Sequence, residues 1–162
     1  PVIVVDLFKI QQLRQLKSLL QSSILKIGHH LKFDWQFLTQ VGLQPQPPFF
    51  DTQLAFKVWT AGIPLRSSLQ AVVRKLLGIT LNKTLQQSDF SQDQLTAKQI
   101  QYAATDAGIL LPVYDALVQR LIVAELSAIT QLESQCIPAF AQMELYGFGI
   151  DRKQLRSQSI EL

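Results

Sequence analysis

The stretch "KIGHHLKFDWQFL" (residues 26–38) decides the fold. With the preceding Ile24 and Leu25 its opening reads as a short strand. From His29 onward Leu31, Trp35 and Leu38 recur at helical spacing and give one apolar face. The junction between strand and helix is polar, and Asp34 sits just inside the helix. His29 and His30 are neighbours, so on a helix they diverge by about 100° and do not grip one ion comfortably. A zinc site would need further His or Cys ligands, and the one other candidate, Cys136, is far along the chain. His30 and Asp34 do share a face. The oxygen ligand Asp34 suits a hard cation such as Mg²⁺ or Mn²⁺.

Working outward, "VIVVD" (residues 2–6) is a β-branched run that predicts a buried strand. "QQLRQLKSLLQS" (residues 11–22) spaces Leu13, Leu16, Leu19 and Leu20 as a helix does. Strand, helix, strand, helix is the order of an α/β protein. "LQPQPPFF" (residues 43–50) predicts a proline-rich loop, with Asp51 or Thr52 capping the helix that follows. Residues 68–78 predict an amphipathic helix opened by Ser68 and closed by Gly78. A polar connection leads to a long helical stretch, residues 97–122, which Pro112 is expected to bend or break near Leu111. From Glu125 one further helix is expected as far as "MELYG", then a small strand at "FGID" (residues 148–151). Position 125 is the best candidate for a domain boundary.

Composition sets the limits. The 162 residues suffice for a hydrophobic core; 48% are hydrophobic and 17% charged, a globular and not a disordered balance. No apolar run approaches the roughly 20 residues of a membrane span, so no membrane partner is expected. One cysteine excludes an internal disulfide framework and suits a cytoplasmic location. The net charge of +3 and pI near 9.2 fit a polyanionic partner but are too mild to argue for one.

In "QYAATDA" (residues 101–107) Tyr102 and Asp106 stand at i and i+4, on one helix face. A carboxylate that grips a divalent metal beside a phenol that orients a water is a usable catalytic pair. The spacing alone fits a solvated Asp beside a half-buried Tyr better than it fits a catalytic pair. The ordered series "KIGHHLKFDWQFL", "FFDTQLA", "SLQAVVRKLLGITLNKTLQQSDFS" and "LTAKQIQYAATDAGILLPVYDAL" resembles the 3′–5′ exonuclease domain of bacterial family A DNA polymerases, in its second and third motifs and the segments between. The resemblance covers residues 1–122. "LESQCIPAFAQMELYGFGIDRKQL" (residues 132–155) resembles the segment joining that domain to the polymerase domain, which favours a polymerase piece over the related ribonuclease D.

The resemblance implies a ribonuclease H-like α/β fold, a mixed sheet flanked by helices. It implies an exonuclease domain over residues 1–124 and the helical start of a polymerase domain over residues 125–162. It assigns Asp34 and Asp106 as carboxylates of a two-metal Mg²⁺ or Mn²⁺ site, and Tyr102 as the residue that orients the attacking water. His29, His30 and Phe33 would lie near the terminal nucleotides of a single-stranded DNA 3′ end, and Arg66 against its backbone. The family's first motif, Asp-x-Glu, is expected upstream of residue 1 together with the first two strands, because Asp6-Leu7-Phe8 does not supply it. The isolated chain is therefore expected to have little activity. His30 stands where the family usually has Asn. The rival expectations are an inert module that supports a polymerase, and ribonuclease D-like RNA trimming.

Overall fold

The structure is a computed structural model and describes residues 2–7, 9, 13–61 and 63–160. Its elements run in the order α1 (Arg14–Leu20), β1 (Lys26–Gly28), α2 (Leu31–Gln40), β2 (Phe49–Asp51), α3 (Thr52–Trp59), α4 (Leu69–Leu77), α5 (Ala97–Gly108), α6 (Leu110–Val123), α7 (Ser127–Gln135), α8 (Ile137–Tyr146) and α9 (Arg152–Ile160). β1 and β2 pair in parallel, Lys26 opposite Phe49 and Gly28 opposite Asp51, with α2 as the crossover between them. This βαβ unit is what the opening stretch encodes.

Two apolar clusters hold the helices. One joins α3, α4 and α6 through Phe56, Val72, Val73, Val113, Leu117 and Leu121. The other, Trp35, Phe49, Ile137 and Ala141, seats α2 and β2 against α8. The Trp35 indole donates to the Pro45 carbonyl at 3.0 Å, so its one polar group is satisfied inside. Gly28 ends β1 because Leu31 folds back over it: a Cβ there would lie 2.3 Å from Leu31 Cδ2.

The caps follow the sequence closely. Asp51 takes the N-cap of α3 and Ser68 that of α4, while Gly78 closes α4 at φ +71°. Pro112 breaks the long stretch slightly earlier than expected, at Ile109. A proline at 112 offers no N–H to the carbonyl four residues back, Gly108, and α5 ends there.

Four expectations need correction. Residues 2–6 form no strand and are largely exposed; Val2, Val4 and Asp6 instead line a groove with Gln94 and Ile100 beside α5. A β-branched run becomes a strand only when another strand satisfies its backbone, and no described strand pairs with it. The proline-rich loop ends two residues sooner than expected, because Phe49 and Phe50 enter β2. The single helix after Glu125 is two, α7 and α8, divided at Cys136 because Pro138 cannot donate to the Ser134 carbonyl. Residues 148–150 are exposed coil with no strand partner, and α9 follows them. Phe8, part of the Asp6-Leu7-Phe8 expectation, lies outside the described residues.

Candidate active site

A cleft of about 860 Å³ opens where β1 ends, between α2, the start of α4 and α5. His29, His30, Phe33, Asp34, Tyr102 and Asp106 all line it, so residues from two distant segments meet at one place. Arg66 does not line this cleft. It borders an adjoining groove with Arg74 and Lys75, and the two depressions share Ser68 and Gln70.

Asp51 organises one wall from inside the protein. Only 2% exposed, its carboxylate accepts from the backbone N–H of Gln53 and Leu54 at the start of α3, and of His30 and Leu31 at the start of α2. One buried charge therefore satisfies the first amides of two helices, as helix N-termini favour an anion. His30 reaches this position in the left-handed conformation, φ +65°, a region that Asn also enters more readily than most residues. Its ring stacks on Phe33, with centroids 6.2 Å apart, and Phe33 packs on Phe37 at 4.7 Å. Phe33 and Phe37 are half exposed, so the ring row that begins in the cleft with His30 and Phe33 continues outward to Phe37.

His29 is held by Thr52. The Thr52 hydroxyl donates to the Gly28 carbonyl at 2.9 Å, and His29 Nδ1 lies 2.9 Å from the same Oγ1. The hydroxyl has one proton, so His29 Nδ1 is the donor and Nε2 keeps its lone pair. That Nε2 is buried without a hydrogen-bond partner among the described residues. Burial pushes the His29 pKa down, against the pull of Asp51, and keeps the ring neutral near pH 7.

Asp34 is exposed as a residue, yet its carboxyl is crowded by the cleft wall and faces the buried charge of Asp51. Desolvation first, and then Asp51, push its pKa up to about 6, with His30 working the other way.

Tyr102 and Asp106 ride on α5, which a capping box starts: Thr96 accepts from the Gln99 amide and Gln99 from that of Thr96. Lys83, from the connection after α4, binds both. Its Nζ donates to Asp106 Oδ2 at 2.8 Å, to Asp106 Oδ1 at 3.0 Å and to the Tyr102 hydroxyl at 3.1 Å, and it lies 5.0 Å from the Tyr102 ring centroid. Burial alone would lower the lysine pKa, but the bonds to Asp106 and Tyr102 outweigh it and hold it above its ordinary value.

Lys83 and Asp51 were not assigned to the site by sequence reasoning. Asp51 announced itself only as a cap. Lys83 is the one cationic residue in 79–96, but nothing local shows that this polar connection crosses over α5.

By architecture the chain is an α/β protein with a cleft at the end of its parallel strand pair. Residues 2–122 match the 3′–5′ exonuclease family, and the chain belongs to it, as a domain of the family A DNA polymerase type. It is 29% identical over 175 residues to DNA polymerase I of Aquifex aeolicus, covering 96% of this chain and 29% of that protein. It is 37% identical over 100 residues to ribonuclease D of Granulibacter bethesdensis, covering 61% of this chain and 25% of that one. The chain thus spans less than a third of the length of these curated relatives. Among solved structures, Brucella melitensis NrnC bound to pGG superimposes with a TM-score of 0.78 at 28% identity, over 90% of this chain and 71% of that chain. The same protein is known with bound Mg²⁺.

Divalent metals serve this exonuclease family, but the described residues do not fit a two-metal site by themselves. No three acidic, histidine or cysteine side chains among them come together to hold an ion. Both oxygens of Asp106 face Lys83, and those of Asp51 face four amides. Among the described residues no helix is long and apolar enough to cross a membrane.

Proposed function

We propose that the chain is the 3′–5′ exonuclease domain of a DNA polymerase, which removes the terminal nucleotide from a single-stranded DNA 3′ end as proofreading requires. The observation that carries this reading is the meeting of Asp34 with Tyr102 and Asp106 in one cleft, beside His29, His30 and Phe33. Stacking on Phe33 and His30 suits an unpaired terminal base without reading its identity. Arg66, which lines the adjoining groove, would meet a backbone phosphate further from the end. The Tyr102 oxygen accepts from Lys83, which leaves the phenol proton free to orient a water. Asp34 and Asp106 are the carboxylates this chain contributes to an Mg²⁺ or Mn²⁺ site. Two-metal hydrolysis requires carboxylates beyond these two.

Residues 125–162 are proposed as the start of an attached polymerase domain, in a cytoplasmic protein. In the structure α7 and α8 already pack on β2 and α2, so this connection also supports the nuclease wall. One specific observation favours ribonuclease D-like RNA trimming: identity to ribonuclease D is higher, though over a shorter stretch. The polymerase relative is matched over nearly the whole chain, which favours DNA.

The test compares this chain with one extended upstream by about 60 residues, roughly two strands and their connections. Each is given Mn²⁺ and labelled single-stranded DNA or RNA. Degradation of DNA by the extended protein alone, lost on Asp106→Ala, supports the proposal. Preference for RNA supports the ribonuclease reading, and inactivity of both proteins supports an inert module.

A further inference from the structure

Between Asp51 and Asp89 the sequence carries five cationic residues and no acidic one. This segment alone is +5 in a chain of net charge +3, so the remainder is net negative and the positive field is concentrated here. Lys83 is bound to Asp106. The fold gathers three of the others, Arg66, Arg74 and Lys75, into the groove beside the cleft, a depression of about 510 Å³. All three are exposed, and no carboxylate lines the groove. Among the described residues none of the three is in an ion pair. Ser68 and Gln70 line both depressions, so the two adjoin there. Arg74 follows Gln70 by one turn on the same face of α4, about 6 Å along its axis, and Lys75 follows Ala71 in the same way. The groove thus leads from the cleft edge toward the far end of α4.

We propose that this groove is a track for the sugar–phosphate backbone of a single strand whose 3′ end lies in the cleft, with Arg66, Arg74 and Lys75 paired to phosphates upstream of the terminal nucleotides. The direction of the strand rests on the exonuclease reading of the cleft, whereas the track itself rests on the groove. A repeating polyanion is the occupant the lining fits. The cations share it with the Ser68 and Thr80 hydroxyls and the Gln70 amide, which also donate to phosphate oxygens and read no base. The chain therefore holds a strand of several nucleotides more tightly than its terminal fragment, and this part of the affinity falls with salt.

The plain alternative is that Arg74 and Lys75, in the last turn of α4, only complement its C-terminal dipole. That role affects folding and is blind to the strand.

The experiment is fluorescence anisotropy of labelled oligothymidine, about 12 nucleotides long, within the range that single-strand grooves hold. It is titrated with the whole chain in EDTA, so that no strand is cut. A second strand of equal length carries uncharged methylphosphonate linkages everywhere except at its last few 3′ nucleotides. The proteins are wild type, Arg74→Gln with Lys75→Gln, and the charge-keeping pair Arg74→Lys with Lys75→Arg, with thermal melts to verify folding. The ordinary strand should bind the Gln variant roughly tenfold more weakly than wild type, as two exposed ion pairs at the upper end of their range give. The slope of log affinity against log salt should become shallower by about 1.4, about 0.7 for each lost contact. The charge-keeping variant should bind as wild type does. The methylphosphonate strand should bind wild type weakly too, and the Gln variant should scarcely distinguish the two strands.

Absence of binding, or equal affinity of wild type for both strands, overturns the proposal. So does a Gln variant that binds the ordinary strand like wild type or distinguishes the strands as sharply; the groove would then suit an acidic protein segment. The wild-type comparison needs no variant, so it decides even if the Gln variant does not fold. Phe33→Leu separates the two readings, because it should weaken both strands alike through the cleft. If it weakens neither while the groove comparisons hold, the placement of the 3′ end fails and the track stands.

Discussion

Replacing Asp34 by Asn should stabilise the chain at neutral pH and leave it unchanged in acid. The carboxyl titrates near 6 instead of its ordinary 3.8, because the cleft wall desolvates it and the Asp51 charge repels it. At about 1.4 kcal/mol for each pKa unit, ionised Asp34 would cost about 3 kcal/mol if fully shielded. The residue is exposed, and solvent screening reduces this to about 1 kcal/mol. The sign follows from linkage. A folded-state pKa above the unfolded one favours the fold fully below pH 3.8, and that contribution is lost as pH rises through about 6. Thermal melts of wild type and Asp34→Asn at pH 7.5 should therefore differ by about 2–4 °C, the variant being higher. The two should converge near pH 3.5. A variant that melts lower at pH 7.5, or a gap equal at both pH values, would refute the crowding of Asp34 against Asp51.

Asp51→Ala strips four partly buried amides of their acceptor and should cost about 3 kcal/mol in urea unfolding. A loss under 1 kcal/mol would mean that water takes over the carboxylate's place. Since His30 holds φ +65°, His30→Asn should keep stability within about 0.5 kcal/mol, whereas His30→Val should lose about 2 kcal/mol. Equal stability of the two variants would show that residue 30 is not confined to that conformation. Gly28→Ala drives a methyl into Leu31 and should cost about 1–3 kcal/mol; Leu31→Ala in the same chain should recover part of that loss, and a purely additive double variant would count against the close approach.

Much of the fold was legible locally because caps and breakers act within a few residues. Asp51 and Ser68 start helices with side-chain oxygens, and Gly78 and Pro112 stop them through their backbones. The failures were of another kind. "VIVVD" has strand propensity, but a strand is completed by a partner, and neighbours in space are not written in five residues. Phe49 and Phe50 looked like loop until β1 lay alongside them.

The same division runs through the site. The spacing of Tyr102 and Asp106 placed them on one helix face from sequence alone, and Asp34 fell one turn into its helix by the same periodicity. That these two helices open onto one cleft was decided by the packing of the chain, since no local rule brings residue 34 to residue 106. Tertiary structure also decided which charges answer which. It buried Asp51 beneath two helix N-termini, and it carried Lys83 out of a connection without regular structure onto Asp106. Electrostatic partners are set by distance through space, and sequence fixes such distances only within an element.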